Sequence, residues 1–116
     1  MTAGVSAFYI KADDTAPSLR AVLEDEDGVV DLTGATVAFV MRGRADSDGN
    51  VPALVKVDAA GVVVDAANGV VRYDWAAEDT DTPGTFDFEF KVTIDGVTAS
   101  YPSRGYNTVV VGRSLR

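Results

Sequence analysis

The stretch GTFDFEFKVTIDGVTASY, residues Gly84 to Tyr101, decides the fold class. Phe86, Phe88, Phe90, Val92 and Ile94 fall at every second position, with Thr85, Asp87, Glu89, Lys91 and Thr93 between them. A strand turns successive side chains to opposite faces, so this run presents one face to a core and the other to water. Asp95-Gly96 then supplies two positions that tolerate positive φ, the requirement of a two-residue hairpin turn. Val97, Ala99 and Tyr101 continue the inward set on the returning strand. No residue in this hairpin has the chemistry of a catalyst.

Working outward, short alternating runs recur, each closed by Gly, Asp, Asn or Pro, as in all-β proteins. A first run covers Ala7 to Lys11. Ser18 to Glu24 places Leu19, Ala21 and Leu23 on one face before a turn at Asp25 to Gly28. Thr36 to Arg42 carries Val37, Phe39 and Met41 inward, and Gly43 to Asn50 reads as an exposed loop tip. Ala53 to Val57 and Gly61 to Asp65 are short, valine-rich strands suited to a sheet edge. After the Asn68-Gly69 turn, Val71, Tyr73 and Trp75 form another inward row. Ala76 to Thr80 fits a single helical turn, and Thr108 to Val111 a last strand. The expectation is one domain over residues 1–116, an antiparallel β-sandwich of seven to eight strands.

Composition narrows the chemistry. The 116 residues are 47% hydrophobic, enough for a packed core, and contain no cysteine and no histidine. Disulfides, thiolate metal sites and cysteine nucleophiles are therefore excluded, as are histidine-based triads and histidine-ligated zinc. Eighteen acidic against ten basic residues give a charge of −8, which repels phosphate backbones and argues against nucleic-acid partners. No apolar run approaches the roughly 20 residues that span a bilayer, so no membrane partner is expected. The N-terminus lacks the basic start and apolar middle of a secretion signal.

Three carboxylate groups invite a ligand reading. Asp46, Asp48 and Asn50 have the spacing of the first ligands of a calcium loop, but the twelfth position, which should be acidic, is Val57. The stretch reads as a solvated hairpin tip. Glu78, Asp79 and Asp81, just before Pro83-Gly84, fit Asx-type turns that bond their own backbone amides. Glu24 to Asp27 lie consecutively at a turn, where all four are hydrated and no pair is set up for acid–base chemistry on a sugar. Tyr9, Tyr101 and Tyr106 are candidates for carbohydrate recognition if exposed, and core or interface residues otherwise. Neither a metal nor a cofactor is expected.

Taken in order, Leu32-Thr33-Gly34-Ala35-Thr36-Val37 with Phe39 and Met41, Gly69 to Trp75, Asp79-Thr80 and Pro83-Gly84-Thr85-Phe86 resemble the N-terminal domain of phage baseplate upper proteins. Asp14-Thr15 with Pro17 and Leu19, Asp27-Gly28 before Asp31-Leu32, and Tyr101-Pro102 before Gly105-Tyr106 extend the resemblance over almost the whole length. It implies an immunoglobulin-like sandwich in a tailed-phage virion, assembled in the bacterial host cytoplasm, docking other virion proteins in a symmetric array without catalysis. Phe86 stands where such folds often carry a tyrosine corner, so that corner's hydrogen bond is expected to be absent. Family members usually continue into helical or receptor-binding regions, and a stand-alone module is expected here. A capsid decoration protein and a small carbohydrate-binding module for host adhesion are the alternatives. The expected contact residues are Phe8, Tyr9, Tyr106, Val109, Val111, Arg113 and Arg116, on the terminal segments; the same segments also suit completion of the protein's own sheets.

Overall fold

The structure, a computed structural model, describes residues 7–44, 54–102 and 107–115. Within them run eleven strands: β1 (Ala7–Lys11), β2 (Leu19–Val22), β3 (Glu24–Asp25), β4 (Gly28–Val29), β5 (Thr36–Gly43), β6 (Val55–Ala60), β7 (Val62–Asp65), β8 (Val70–Tyr73), β9 (Gly84–Ile94), β10 (Val97–Tyr101) and β11 (Asn107–Gly112). Two short 3₁₀ turns, Ala66–Asn68 and Ala77–Thr80, are the helical elements. The fold is all-β.

The expected hairpin is present and organises the larger sheet. Asp95 (φ 50°) and Gly96 (φ 82°) both sit in the left-handed region, which gives the tight turn, and Val97 pairs back onto Ile94. β9 is flanked along one side by β5 and along the other by β10 and β11 in succession, so the sheet runs β1-β11-β9-β5-β6 with β10 beside β11's position on β9. β10 and β11 are the two halves of one interrupted strand: Tyr101 faces Phe90 and Asn107 faces Phe88, so one residue of β9 is matched by five on the other side. The second sheet runs β2-β8-β7, and β3 and β4 form a separate ribbon.

Two expectations change here. The larger sheet is mixed, because β1 lies parallel to β11, Ala7 beside Thr108 through Lys11 beside Gly112. A chain that leaves β1 for the opposite sheet at β2 frees β1 to lie along the last strand in either direction, and the sequence of a five-residue strand does not encode which. The strand count also exceeds seven to eight. Without the two-residue ribbon, and with β10 and β11 taken as one interrupted strand, eight remain.

The inward rows meet between the sheets. Phe39, fully buried in β5, stacks on Tyr73 of β8 with centroids 4.3 Å apart and planes at 10°. Trp75, Phe88 and Phe90 surround it at 5.6, 5.4 and 5.3 Å. Each such ring pair adds about 0.5–1.5 kcal/mol beyond the area it buries. Leu19, Met41, Val71 and Phe86 from both sheets, with Leu32 from the connection into β5, close the core. The inward assignments of Val37, Phe39 and Met41 and of Val71, Tyr73 and Trp75 therefore hold. Val97 and Ala99 lie on the inward face of β10 but are exposed, although Val92, opposite Ala99 on β9, is buried: the cover over the core ends before this edge strand. Gly43, expected in a loop tip, is buried at the end of β5, and Arg44 N–H extends the pairing to Thr85 O at 3.1 Å.

Candidate functional site

The terminal strands expected to make contacts divide by face. Val109 and Val111 of β11 are buried at 0% and 2% exposure and pack in the core, so their side chains are not free for a partner. Three consecutive valines offer no alternation from which to read this. Phe8 is half-buried and lies 5.8 Å from the Trp75 ring, at the core's rim. Tyr9, on the opposite face of β1, is 71% exposed. Arg113 is exposed. Tyr106 and Arg116 lie outside the described residues, as do Asp46, Asp48 and Asn50; Val57, at the twelfth position of that calcium spacing, is a core residue of β6.

Beside Tyr9, the side chains of Lys11, Asp14, Pro17 and Val110 border an open groove of about 310 Å³. It forms because β1 is an edge strand and Gly112 opposite Lys11 contributes no side chain. Nothing in the linear order of these residues announces it. Tyr101 is half-buried against the core on the inner face of the same sheet, so Tyr9 and Tyr101 do not share a surface. A second, shallow hollow lies on the outer face, where Thr36, Ala38, Ala60 and Thr93 leave space beside Lys91.

Four basic side chains among the described residues are engaged with acidic neighbours of the same chain. Arg44 forks onto Asp87 and reaches Thr108 Oγ1 at 3.1 Å, tying β5, β9 and β11 together. Asp87 raises the Arg44 pKa further above its ordinary value. Lys91 bridges Glu89 at 3.0 Å and Ser100 at 2.9 Å. Lys56 holds Asp81 at 2.6 Å, and that contact, with the Thr82 hydroxyl, keeps the Asp81 carboxyl below the usual carboxylate range. Asp74 is likewise lowered, first by the Ser18 hydroxyl at 2.7 Å and then by Arg72.

The acidic clusters are structural in geometry. Asp79 is buried; its carboxylate accepts from Tyr73 Oη at 2.5 Å and from Ala76 N–H at 2.8 Å. Asp79 thus bonds a backbone amide of its own turn, as expected, though the amide is that of Ala76 three residues before it, and it also reaches back to the preceding strand, while Asp81 pairs with Lys56. Glu24 to Asp27 are all exposed, and Asp25 accepts the Asp27 N–H at 2.8 Å. Among the described residues, no three acidic side chains converge on a point where a cation would sit. No helix among them is long and apolar enough to cross a membrane. Trp75 Nε1 is buried without a hydrogen-bond partner among the described residues.

No known protein-family model matches the chain, and no curated protein matches its sequence.

Proposed function

We propose that the chain is a non-enzymatic, immunoglobulin-like structural module of a tailed-phage virion, docking other virion proteins at the baseplate or tail. The observation that carries this reading is the sheet order. With β2, β8 and β7 as strands B, E and D, and β5, β9 and the interrupted β10–β11 as C, F and G, the arrangement corresponds to the two immunoglobulin sheets. β6 then takes the added C′ place, and β1 runs beside G. The hallmark inter-sheet disulfide has no cysteines to form it. Phe39 stacked on Tyr73 occupies the space between the sheets instead.

A docking role fits the surface. Arg44, Lys56, Arg72 and Lys91 are engaged with acidic neighbours of the same chain, while Tyr9, Val22, Leu54, Val97 and Arg113 are among the exposed side chains open to a partner. Mass spectrometry of purified particles from the source tests the reading: the chain is expected among the virion proteins, and its absence sinks the proposal. Electron microscopy of those particles then separates tail from capsid, where a decoration protein would repeat over the lattice.

The groove beside Tyr9 favours one second reading, carbohydrate adhesion, because it sets an exposed ring in an open, largely apolar groove that Lys11 and Asp14 also line. Calorimetric titration with host-wall glycans checks it. Heat of binding lost in Tyr9→Ala would put adhesion ahead.

A further inference from the structure

The turn at Asn68-Gly69 carries a reactive chemistry of its own. It is the one Asn-Gly step in the sequence. In such a step the glycine backbone nitrogen can attack the asparagine Cγ: an N–Cγ bond forms, the Cγ–Nδ2 bond breaks, and ammonia leaves a five-membered succinimide. Water then opens either ring carbonyl, giving aspartate or isoaspartate, whose main chain is one methylene longer. Glycine favours the attack because it has no side chain to crowd the nitrogen. Asn107, by comparison, precedes the β-branched Thr108 within β11.

The fold withholds that reaction. Asn68 ends the 3₁₀ turn Ala66–Asn68, and ring closure needs the Gly69 nitrogen eclipsed with the Asn68 Cβ. The ψ of a 3₁₀ residue, about −20° to −30°, leaves the nitrogen roughly a quarter-turn from that position, so the peptide between the two residues must rotate. The contacts of Gly69 resist the rotation. Its N–H donates to Ala66 O at 3.3 Å, and its carbonyl accepts from Leu23 N–H at 2.8 Å. Gly69 is also buried so close to Leu23 O and Val30 O that an added methyl group would lie 2.8 and 2.9 Å from them. The carboxamide is held as well: Asn68 Nδ2 donates to Asp65 Oδ2 at 2.9 Å, which draws Cγ back across the turn. Asn68 itself is exposed, so water is at hand once the backbone lets go.

The structure assigns Asn68 as a latent modification site, silent in the folded chain and deamidated when the turn and the β3–β4 ribbon seated on it open. The product does not fit the place it came from. A carboxylate at position 68 loses the donor to Asp65 and faces it as a like charge three residues away. Isoaspartate inserts a main-chain atom beside Gly69, where the carbonyls of Leu23 and Val30 leave no room for one. Deamidation therefore records an opening irreversibly, and a marked chain opens more readily than an unmarked one.

This concerns the chain alone and stands or falls independently of the virion reading. Trypsin releases the peptide from Val57 to Arg72, in which Asn68 is the one amide side chain, so its deamidation reads directly in the peptide mass. At mildly alkaline pH, which favours the deprotonated nitrogen, the folded chain should deamidate at least about tenfold more slowly than the chain unfolded in urea. The rate should climb already in urea too dilute to unfold the whole domain, because opening the turn and ribbon suffices. Equal rates in the folded and unfolded chains, or a rate that rises only with global unfolding, would overturn the proposal. The consequence is read separately. Asn68→Asp should unfold at a lower temperature than Asn68→Ala, which loses the same hydrogen bond without gaining the charge, and the difference should vanish when Asp65→Ala is added to both. Coincident midpoints for Asn68→Asp and Asn68→Ala would show that the product is tolerated and that an opening leaves no lasting mark.

Discussion

Tyr73 Oη donates to the Asp79 carboxylate at 2.5 Å, joining the end of β8 to the 3₁₀ turn that feeds β9. Asp79 uses the same oxygen to accept Ala76 N–H, so one buried side chain closes the turn and anchors it to the core. Thr80, fully buried, adds a second tie through its hydroxyl to Asp14 O at 2.8 Å. The connection into β9 is thus held by the strand before it. Phe86 lacks a hydroxyl, so a tyrosine corner within β9 has no donor here.

Tyr73→Phe tests that anchor. It keeps the ring stacked on Phe39 and removes only the donor, leaving a buried carboxylate oxygen short of one bond, at a cost of about 1–3 kcal/mol. The pH profile separates this from a packing effect. Burial first, and then the bond to Asp79, push the Tyr73 phenol well above its ordinary value. A folded pKa above the unfolded one means this stabilisation is complete below about pH 10 and is lost as pH rises beyond it. Urea unfolding followed by Trp75 fluorescence should show the parent losing stability faster than Tyr73→Phe between pH 10 and pH 11. Parallel losses would assign the alkaline sensitivity to other groups.

How far the sequence discloses this molecule depends on the periodicity of each segment. β9 alternates apolar and polar residues strictly, and its buried face follows from that alone; β5 and β8 carry apolar Ala38, Val40 and Val70 outward as well, and their buried faces are marked by the larger side chains Phe39, Met41 and Tyr73. Asn107–Gly112 has valine at three successive positions, so its register and its burial are invisible until β9 and β1 are placed on either side. Parallel pairing of β1 depends on where β2 goes, a long-range fact. The same holds for the surface: Tyr9 and Val109 look equivalent as apolar residues of terminal strands, and only the pleat sends one to water and the other to the core. The Tyr73–Asp79 bond joins two positions that periodicity places in separate classes, one as core and one as turn.

Phe39→Ala removes the ring around which the aromatic core is arranged. Its four neighbouring rings come from both sheets and the segment between them, and a fully buried Phe truncated to Ala costs about 3–5 kcal/mol. Phe39→Leu keeps much of the volume and should cost less than half as much. Equal unfolding midpoints for the two variants would show that the cavity collapses and that Phe39 is not central.

Ser18→Ala should raise the Asp74 pKa. The Ser18 hydroxyl is the largest influence holding that carboxyl low, ahead of Arg72. Asp74 is lowered in the folded state, so the stability it lends is present above about pH 4 and fades as pH falls through the folded value. Carboxyl carbon shifts followed by NMR from pH 6 to pH 2 should place the Asp74 midpoint higher in the variant. An unmoved midpoint would mean that Arg72 alone sets it.

Gly69 is the backbone position least able to change. It has φ 68°, and a Cβ there would lie 2.8 Å from Leu23 O and 2.9 Å from Val30 O, both main-chain atoms that cannot swing aside. Its carbonyl also accepts Leu23 N–H at 2.8 Å, which seats the β3–β4 ribbon beside the turn into β8. Gly34 offers the matched control: φ is 77°, yet a methyl group added there would meet nothing within 4 Å. Gly34→Ala therefore carries only left-handed strain, about 1–2 kcal/mol. Gly69→Ala carries the same strain plus the displacement of two backbone segments, and should cost at least about twice as much. Thermal unfolding of the pair reads the difference directly: a Gly69→Ala midpoint well below that of Gly34→Ala is expected, and coincident midpoints would show that the ribbon yields and that its seat on Gly69 is not a fixed part of the fold.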